Sequence, residues 1–98
     1  ATPTEAFAAL AAGADGLKMF PAESLPPGAL KAWRAVLPAA TLVFAVGGMK
    51  PDNLEPYWRA GASGFGTGSN LYQPGTSPEH VRTVAQAYAA AIRALPAR

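Results

Sequence analysis

Apolar residues along this chain follow two alternating patterns, helical spacing and short continuous runs. Helical spacing is clear in 27–37, where Leu30, Trp33, Val36 and Leu37 fall on one side of a predicted helix. The continuous run 41–46 shows no polar alternation, which is typical of a strand buried on both faces. The chain therefore predicts strands that alternate with helices. The predicted helices cover 2–12, 27–37, 51–61 and 77–95, and the predicted strands cover 17–20, 41–46 and 63–68.

Capping and helix-breaking residues mark the ends of the predicted helices. Thr2 is a suitable N-cap with Pro3 at the first helical position, and Gly13 ends the first helix. Pro51 is predicted to begin the third helix, with Asp52 and Asn53 in its first turn.

The alternating order predicts an α/β protein with a parallel sheet and right-handed crossovers. The segments 11–16 and 59–64 repeat the same helix end, tight turn and strand, as successive units of a (β/α) barrel do. Three strands cannot close such a barrel, which needs eight strands and about 250 residues. We therefore expect residues 1–98 to form part of a (β/α)8 TIM barrel, its C-terminal half with about the last three strands and their helices. The first residue is alanine rather than methionine, which also suggests a fragment.

Composition narrows the range of functions. Half of the 98 residues are hydrophobic and 14% are charged, as expected of a compact globular domain. The net charge of +2 comes from scattered basic residues, so we expect no nucleic-acid partner. There is no cysteine, and the single histidine, His80, has no cluster of potential metal ligands around it. No run approaches the roughly 20 apolar residues of a membrane span.

Lys18 is the strongest candidate for chemistry, because it lies within the apolar run 17–20. Burial would favour its neutral amine, and a neutral lysine can attack a carbonyl group to form a Schiff base. Strand alternation places Lys18 and Phe20 on the face opposite Leu17 and Met19, so Phe20 is predicted to form part of the apolar wall. The alternative is a lysine at a strand end with its amine in water.

Two glycine-rich loops follow the last two predicted strands. The first contains Gly47 and Gly48, and the second contains Gly66, Gly68 and Ser69. Glycines let backbone N–H groups approach an anion closely, and in barrel enzymes the loops after the last two strands often bind phosphate. The alternative is that these glycines only form tight turns.

The motifs 13–22, 44–54 and 66–72 resemble the C-terminal half of the class I 2-keto-3-deoxy-6-phosphogluconate and 6-phosphogalactonate aldolases. This resemblance implies that Lys18 forms a Schiff base with pyruvate. It also implies that the substrate phosphate is bound by the glycine pair and the Gly-Ser turn, which are Gly47, Gly48, Gly68 and Ser69. Val46 stands where gluconate-type enzymes have threonine, so the resemblance favours the galactonate branch.

The same resemblance implies a cytoplasmic homotrimer of (β/α)8 barrels that acts on a phosphorylated keto-acid sugar without a metal or other cofactor. Its general acid/base glutamate and its carboxylate-binding arginine belong to the N-terminal half and have no counterpart here. Glu23 is the glutamate nearest to Lys18 in sequence, and we interpret it as a solvated loop charge. Other hypotheses remain open: the gluconate-type aldolase, a phosphosugar isomerase or epimerase, a non-catalytic phosphate-binding half-barrel, and a segment that does not fold alone.

Overall fold

The computed structural model describes all residues from 1 to 98 as one small α/β unit. Helices and strands alternate in the predicted order, and a short 3-10 helix, Ala22–Ser24, follows the first strand. The elements are α1 (Pro3–Ala11), β1 (Gly16–Met19), α2 (Pro27–Val36), β2 (Leu42–Val46), α3 (Leu54–Ala60), β3 (Gly64–Gly66) and α4 (Pro78–Arg93).

The three strands form one parallel sheet in the order β1-β2-β3. Lys18 pairs with Phe44, and Phe44 pairs with Gly64, so these three residues occupy one row across the sheet. The Phe44 ring lies over the neighbouring glycine, since a methyl group at Gly64 would lie 3.0 Å from it. All three strands end at the same edge, where the loops after β2 and β3 also begin.

The predicted N-cap at Thr2 is confirmed, the last helix also has a side-chain cap, and one predicted helix start is wrong. The Thr2 side chain accepts a hydrogen bond from the Glu5 amide, and the Ser77 side chain accepts one from the His80 amide. The third helix begins at Leu54 instead of at residue 51. Residues 51–53 form a turn, because the Asn53 side chain bonds back to the preceding loop instead of capping the helix.

The helices cover one face of the sheet, and that face carries the core. Leu17, Met19, Val43 and Ala45 point into it and are buried, and they pack with residues of α2, α3 and the loops. The apolar side of α2 contributes Leu30, Trp33 and Leu37. Val36, predicted on the same side of the helix, is 57% exposed because it ends α2 beyond the sheet-facing side.

The opposite face of the sheet is open, which contradicts two sequence predictions. The second strand is not buried on both faces, since Leu42 is 47% and Phe44 is 38% exposed. Lys18 was predicted in a buried strand, and it too is exposed. The reason is the same in each case: these side chains alternate away from the helices, and no other element of the chain covers them.

Helix α4 packs more loosely than its apolar pattern predicts. None of its residues is buried, although Ala91 and the following Leu95 lie partly against the core. Hydrogen bonds attach this end of the chain instead: the Tyr88 hydroxyl donates to the Met49 carbonyl at 2.6 Å, and the Trp58 indole donates to the Pro96 carbonyl at 2.7 Å. No helix in the structure has the length and hydrophobicity needed to cross a bilayer.

Arg34, which the sequence did not distinguish, links the segments that precede β2 and β3. The Arg34 guanidinium on α2 donates to the carbonyls of Gly61 and Thr41 and to the Ser63 hydroxyl. Burial lowers the pKa of Arg34, and the nearby charge of Arg98 lowers it further. These bonds hold β2 and β3 at the end of the sheet opposite the glycine-rich loops.

Candidate active site

A cleft of about 300 Å³ opens where the strands end. All seven residues that the sequence singled out for a site line this cleft: Lys18, Phe20, Val46, Gly47, Gly48, Gly68 and Ser69. Four further residues line it that the sequence had not assigned to the site: Met49, Gly66, Thr67 and Asn70. The sequence feature that could have identified these four residues is their position in the same two glycine-rich loops.

Lys18 reaches the cleft from β1. Its amine lies 4.8 Å from the centre of the Phe20 ring, within the range of a cation–π interaction. Phe20 is 52% exposed, so the ring forms one wall of an open cleft. The burial that would favour a neutral amine is therefore not provided by this chain, whose sheet face is open at Lys18.

The first loop needs glycine at both of its central positions. Gly47 and Gly48 have φ angles of +104° and +70°, which other residues rarely adopt. A methyl group at Gly47 would lie 3.1 Å from the Phe20 ring and from Pro21, and one at Gly48 would clash with the Glu23 side chain. The glycines thus allow the loop after β2 to pack directly against the segment after β1.

Both loops present backbone N–H groups that no other group in the chain uses. The amides of Gly47, Gly48 and Met49 donate no hydrogen bond within the chain, and neither do the amides of 67–70. Met49 lines the cleft although only 2% of the residue is exposed. Consecutive free N–H groups in a concave loop attract anions. Since α3 begins only at Leu54, this attraction comes from loop amides and not from the helix that was predicted at 51.

Hydroxyl and amide side chains add donors on the second loop. Ser69 and Thr67 line the cleft, are exposed and donate no hydrogen bond within the chain through their hydroxyls. The Gly68 carbonyl accepts hydrogen bonds from the amides of Leu71 and Tyr72, which turns the chain away from the cleft. The arrangement suits an anion held between the two loops, in the cleft that Lys18 also lines.

No carboxylate lines the cleft. Glu5 pairs with the chain's first amine at 2.6 Å and Glu55 pairs with Arg59 at 2.7 Å, both on helix surfaces. The amino group and the Thr2 hydroxyl lower the pKa of Glu5. Glu23 is exposed and packs beside Gly48, where its backbone amide donates to the Gly47 carbonyl at 3.2 Å. A residue that removes or supplies protons beside Lys18 is therefore not among the residues of this chain that line the cleft.

The chain is similar in sequence to two curated proteins over nearly its full length. It is 50% identical over 93 residues to the 2-dehydro-3-deoxy-6-phosphogalactonate aldolase of Escherichia coli strain K12, covering 95% of this chain and 45% of that protein. It is 51% identical over 94 residues to the probable 2-dehydro-3-deoxy-6-phosphogalactonate aldolase of Rhizobium meliloti strain 1021, covering 96% and 44%. The chain thus spans about half the length of these relatives. No family model matches it.

Solved structures give the same result. The structure described as "Native KDPGal structure" superposes with a TM-score of 0.93 at 49% identity, over 95% of this chain and 45% of that one. A cube-shaped protein cage designed by fusing symmetric oligomeric domains also matches with a TM-score of 0.93 at 49% identity, over 34% of that chain. The resemblance predicted from the motifs is confirmed by both kinds of comparison: the chain is similar over nearly its full length to 2-dehydro-3-deoxy-6-phosphogalactonate aldolases, and its coverage of less than half of each relative fits a C-terminal half.

Proposed function

We propose that this chain supplies the Schiff-base lysine and the phosphate site of a class I aldolase. The enzyme cleaves 2-dehydro-3-deoxy-6-phosphogalactonate to pyruvate and glyceraldehyde 3-phosphate. The observation that carries the proposal is the placement of the Lys18 amine in the same cleft as two loops with free N–H groups. The names of the relatives, at about half sequence identity, support the same reaction.

Lys18 is the nucleophile in this proposal. Its amine attacks the C2 carbonyl carbon of the keto acid, and loss of water leaves a protonated imine. When the C3–C4 bond breaks, the imine accepts the electron pair and becomes an enamine, while the C4 hydroxyl loses its proton and C4 leaves as the aldehyde. Protonation of the enamine at C3 and hydrolysis of the imine then release pyruvate and restore the lysine. Because no carboxylate of this chain lines the cleft, these protons are moved by a group of the other half of the enzyme or by water.

The two loops bind the phosphate end of the substrate. Amides of the first loop at Gly47 and Gly48 and of the second loop at Gly68 and Ser69 point donors at one anion, and the Ser69 hydroxyl adds another donor. Holding the phosphate fixes the distance between that end of the substrate and Lys18. The reactive carbonyl is thereby positioned at the amine. Holding the two reacting groups in this geometry lowers the entropic part of the reaction barrier.

The open sheet face supports a complete (β/α)8 barrel in which residues 1–98 supply about the last three strands. Leu42, Phe44 and Lys18 lie on that face without any cover from this chain. In a closed barrel it would face the interior, and the barrel would bury Lys18 as the sequence predicted. The barrel would form a homotrimer in the cytoplasm, and the similarity to an oligomeric domain used in a designed cage supports an oligomer.

Val46 would select the C4 epimer. It is half-buried in the cleft wall, and its methyl groups pack against Gly66. A valine there leaves a substrate hydroxyl without a partner, whereas threonine would bond to it, so the site disfavours the epimer whose hydroxyl points that way. Val46→Thr should shift the ratio of rates on the two epimers toward the gluconate substrate, and an unchanged ratio would exclude this role.

The test of the aldolase proposal is reductive trapping of the imine. The chain is incubated with pyruvate and sodium borohydride, and the intact mass and the modified peptide are determined by mass spectrometry. We expect a pyruvyl adduct on Lys18, none on Lys31 or Lys50, and none anywhere in Lys18→Arg. If the chain gives no adduct, the same trap is applied to the complete enzyme that contains it. No adduct at the Lys18 position there would refute the aldolase and leave an isomerase or a non-catalytic phosphate-binding protein.

A further inference from the structure

The loop after β2 is held from outside the cleft at every one of its carbonyl groups. Each carbonyl from 47 to 50 accepts a hydrogen bond from a protein donor. Two of these donors are side chains: the Asn53 amide nitrogen lies 2.8 Å from the Gly48 carbonyl, and the Tyr88 hydroxyl lies 2.6 Å from the Met49 carbonyl. The loop's carbonyls are therefore occupied, whereas its first three amides are free.

Asn53 makes these bonds in place of a more usual one. It stands directly before α3, where asparagine commonly caps a helix, yet its side chain caps nothing. Its nitrogen donates to the Gly48 carbonyl, and its oxygen accepts from the Lys50 amide at 2.9 Å. Both the oxygen and the nitrogen of this side chain are therefore bonded to the loop.

Tyr88 reaches the same loop from a distant element. It belongs to α4, a helix with no buried residue, so its hydroxyl bond is one of the few specific contacts between α4 and the rest of the chain. The Met49 carbonyl that it holds belongs to the same peptide unit as the Lys50 amide. Because that amide donates to Asn53, Tyr88 also steadies Asn53.

Because the peptide unit is planar, a hydrogen bond that fixes the direction of its carbonyl group also fixes the direction of its N–H group. In a trans peptide unit, the C=O of one residue and the N–H of the next point in opposite directions in one plane. The Gly48 carbonyl and the Met49 N–H share such a unit. With the carbonyl bound to Asn53, planarity directs the Met49 N–H to the opposite side of the peptide unit, and Met49 is among the residues that line the cleft.

We infer that Asn53, steadied by Tyr88, is a positioning residue that aims the Met49 N–H at the phosphate group of the substrate. This inference rests on the proposed function only for the identity of the anion, a phosphomonoester. Neither side chain lines the cleft that holds Lys18, so neither touches the reacting atoms. Met49 thereby joins Gly47 and Gly48 as an anion-binding residue through its backbone.

The test compares phosphate affinity with imine formation in Asn53→Ala and Tyr88→Phe. Inorganic phosphate is titrated into the chain and followed by NMR, and the pyruvate trap is run on the same samples. Each lost hydrogen bond should raise the dissociation constant, by about tenfold for Asn53→Ala and about threefold for Tyr88→Phe. The yield of the pyruvate adduct on Lys18 should be unchanged, because pyruvate carries no phosphate.

Tyr57→Phe is the matched control. The Tyr57 hydroxyl also donates to a backbone carbonyl at 2.6 Å, that of Ala22, which lies outside the loop. We expect this variant to lose stability but keep its phosphate affinity. The inference is overturned if Asn53→Ala binds phosphate like the unaltered chain, if all three variants lose phosphate affinity and imine yield together, or if the unaltered chain does not bind phosphate. The imine trap on the unaltered chain judges the aldolase proposal separately.

Discussion

The two faces of the sheet are built from alternate residues of the same strands, yet they differ in almost every property. Leu17 and Met19 point to one face, which the helices cover so fully that Met19 is 0% exposed. Lys18 and Phe20 point to the other face, where Phe20 is 52% exposed and no helix packs. The covered face holds the chain together, and the open face carries the lysine of the candidate site.

This difference shows that residues which stabilise the fold and residues which line the candidate site can alternate within one short strand. Strand alternation assigns neighbouring side chains to opposite faces, so a core residue and a reactive residue can be adjacent in sequence. A substitution on the covered face should therefore affect folding, and one on the open face should affect the cleft.

Leu17→Ala and Leu42→Ala make the same change on opposite faces. Leu17 is 6% exposed on the covered face and Leu42 is 47% exposed on the open face. We expect Leu17→Ala to lower the free energy of unfolding by about 2–5 kcal/mol, because it leaves a cavity, and Leu42→Ala by less than about 1 kcal/mol. Urea denaturation followed by circular dichroism measures both. Equal losses in this chain would mean that the open face is covered after all, whereas a larger Leu42 effect in the complete enzyme is expected.

Gly47→Ala and Gly13→Ala compare two glycines of similar backbone conformation. Their φ angles are +104° and +98°, but a methyl group at Gly13 meets nothing within 4 Å, whereas one at Gly47 meets Phe20 and Pro21 at 3.1 Å. We expect a loss of about 1 kcal/mol at Gly13 from backbone strain and about 2–3 kcal/mol at Gly47, where the cleft wall must also move.

Phosphate affinity separates the two glycine variants further. Gly47→Ala should weaken phosphate binding, and Gly13→Ala should leave it unchanged, because Gly13 lies at the end of α1, away from the cleft. A titration with inorganic phosphate measures this. Equal affinities of the two variants would show that the Gly47 loop does not shape the anion site.

Tyr57 is predicted to make stability depend on alkaline pH. Burial, reinforced by the negative charge of Glu23, raises the pKa of the Tyr57 phenol above its usual value of 10.0. The folded chain then holds this proton more tightly than the unfolded chain. Its stabilising contribution is complete below that usual value and is lost as the pH rises through the raised pKa.

Denaturation between about pH 8 and about pH 11 tests this dependence. Tyr57→Phe should flatten the loss of stability, whereas Tyr72→Phe should not, since Tyr72 is 57% exposed. The prediction fails if the unaltered chain and Tyr57→Phe have the same slope of unfolding free energy against pH.

The local features of the fold and site were accessible from the sequence. Thr2 caps the first helix as its residue type predicts, and the last helix begins at Pro78, where it was predicted. The alternation of Lys18 and Phe20 against Leu17 and Met19 is confirmed, since it follows from strand geometry alone. These features depend only on residues close together in the chain.

Features that depend on which partner a side chain bonds were predicted wrongly or missed. The turn at 51–53 was predicted as a helix, because Pro51 is a common first helical residue. No sequence pattern shows that the Asn53 side chain donates to the Gly48 carbonyl instead of capping the helix. The bonds of Arg34 and Tyr88 join residues far apart in the chain and carry no sequence pattern.

By itself, the sequence determined the order of helices and strands, their caps, the two glycine-rich loops and the face on which Lys18 lies, because propensity and periodicity act over a few residues. Only the tertiary structure decided which apolar face has a partner and which carbonyls the side chains of Asn53 and Tyr88 hold. An apolar strand has the same sequence pattern whether its second face is covered by its own chain or by another. For Leu42, Phe44 and Lys18 that cover is absent from these 98 residues, and so they are exposed.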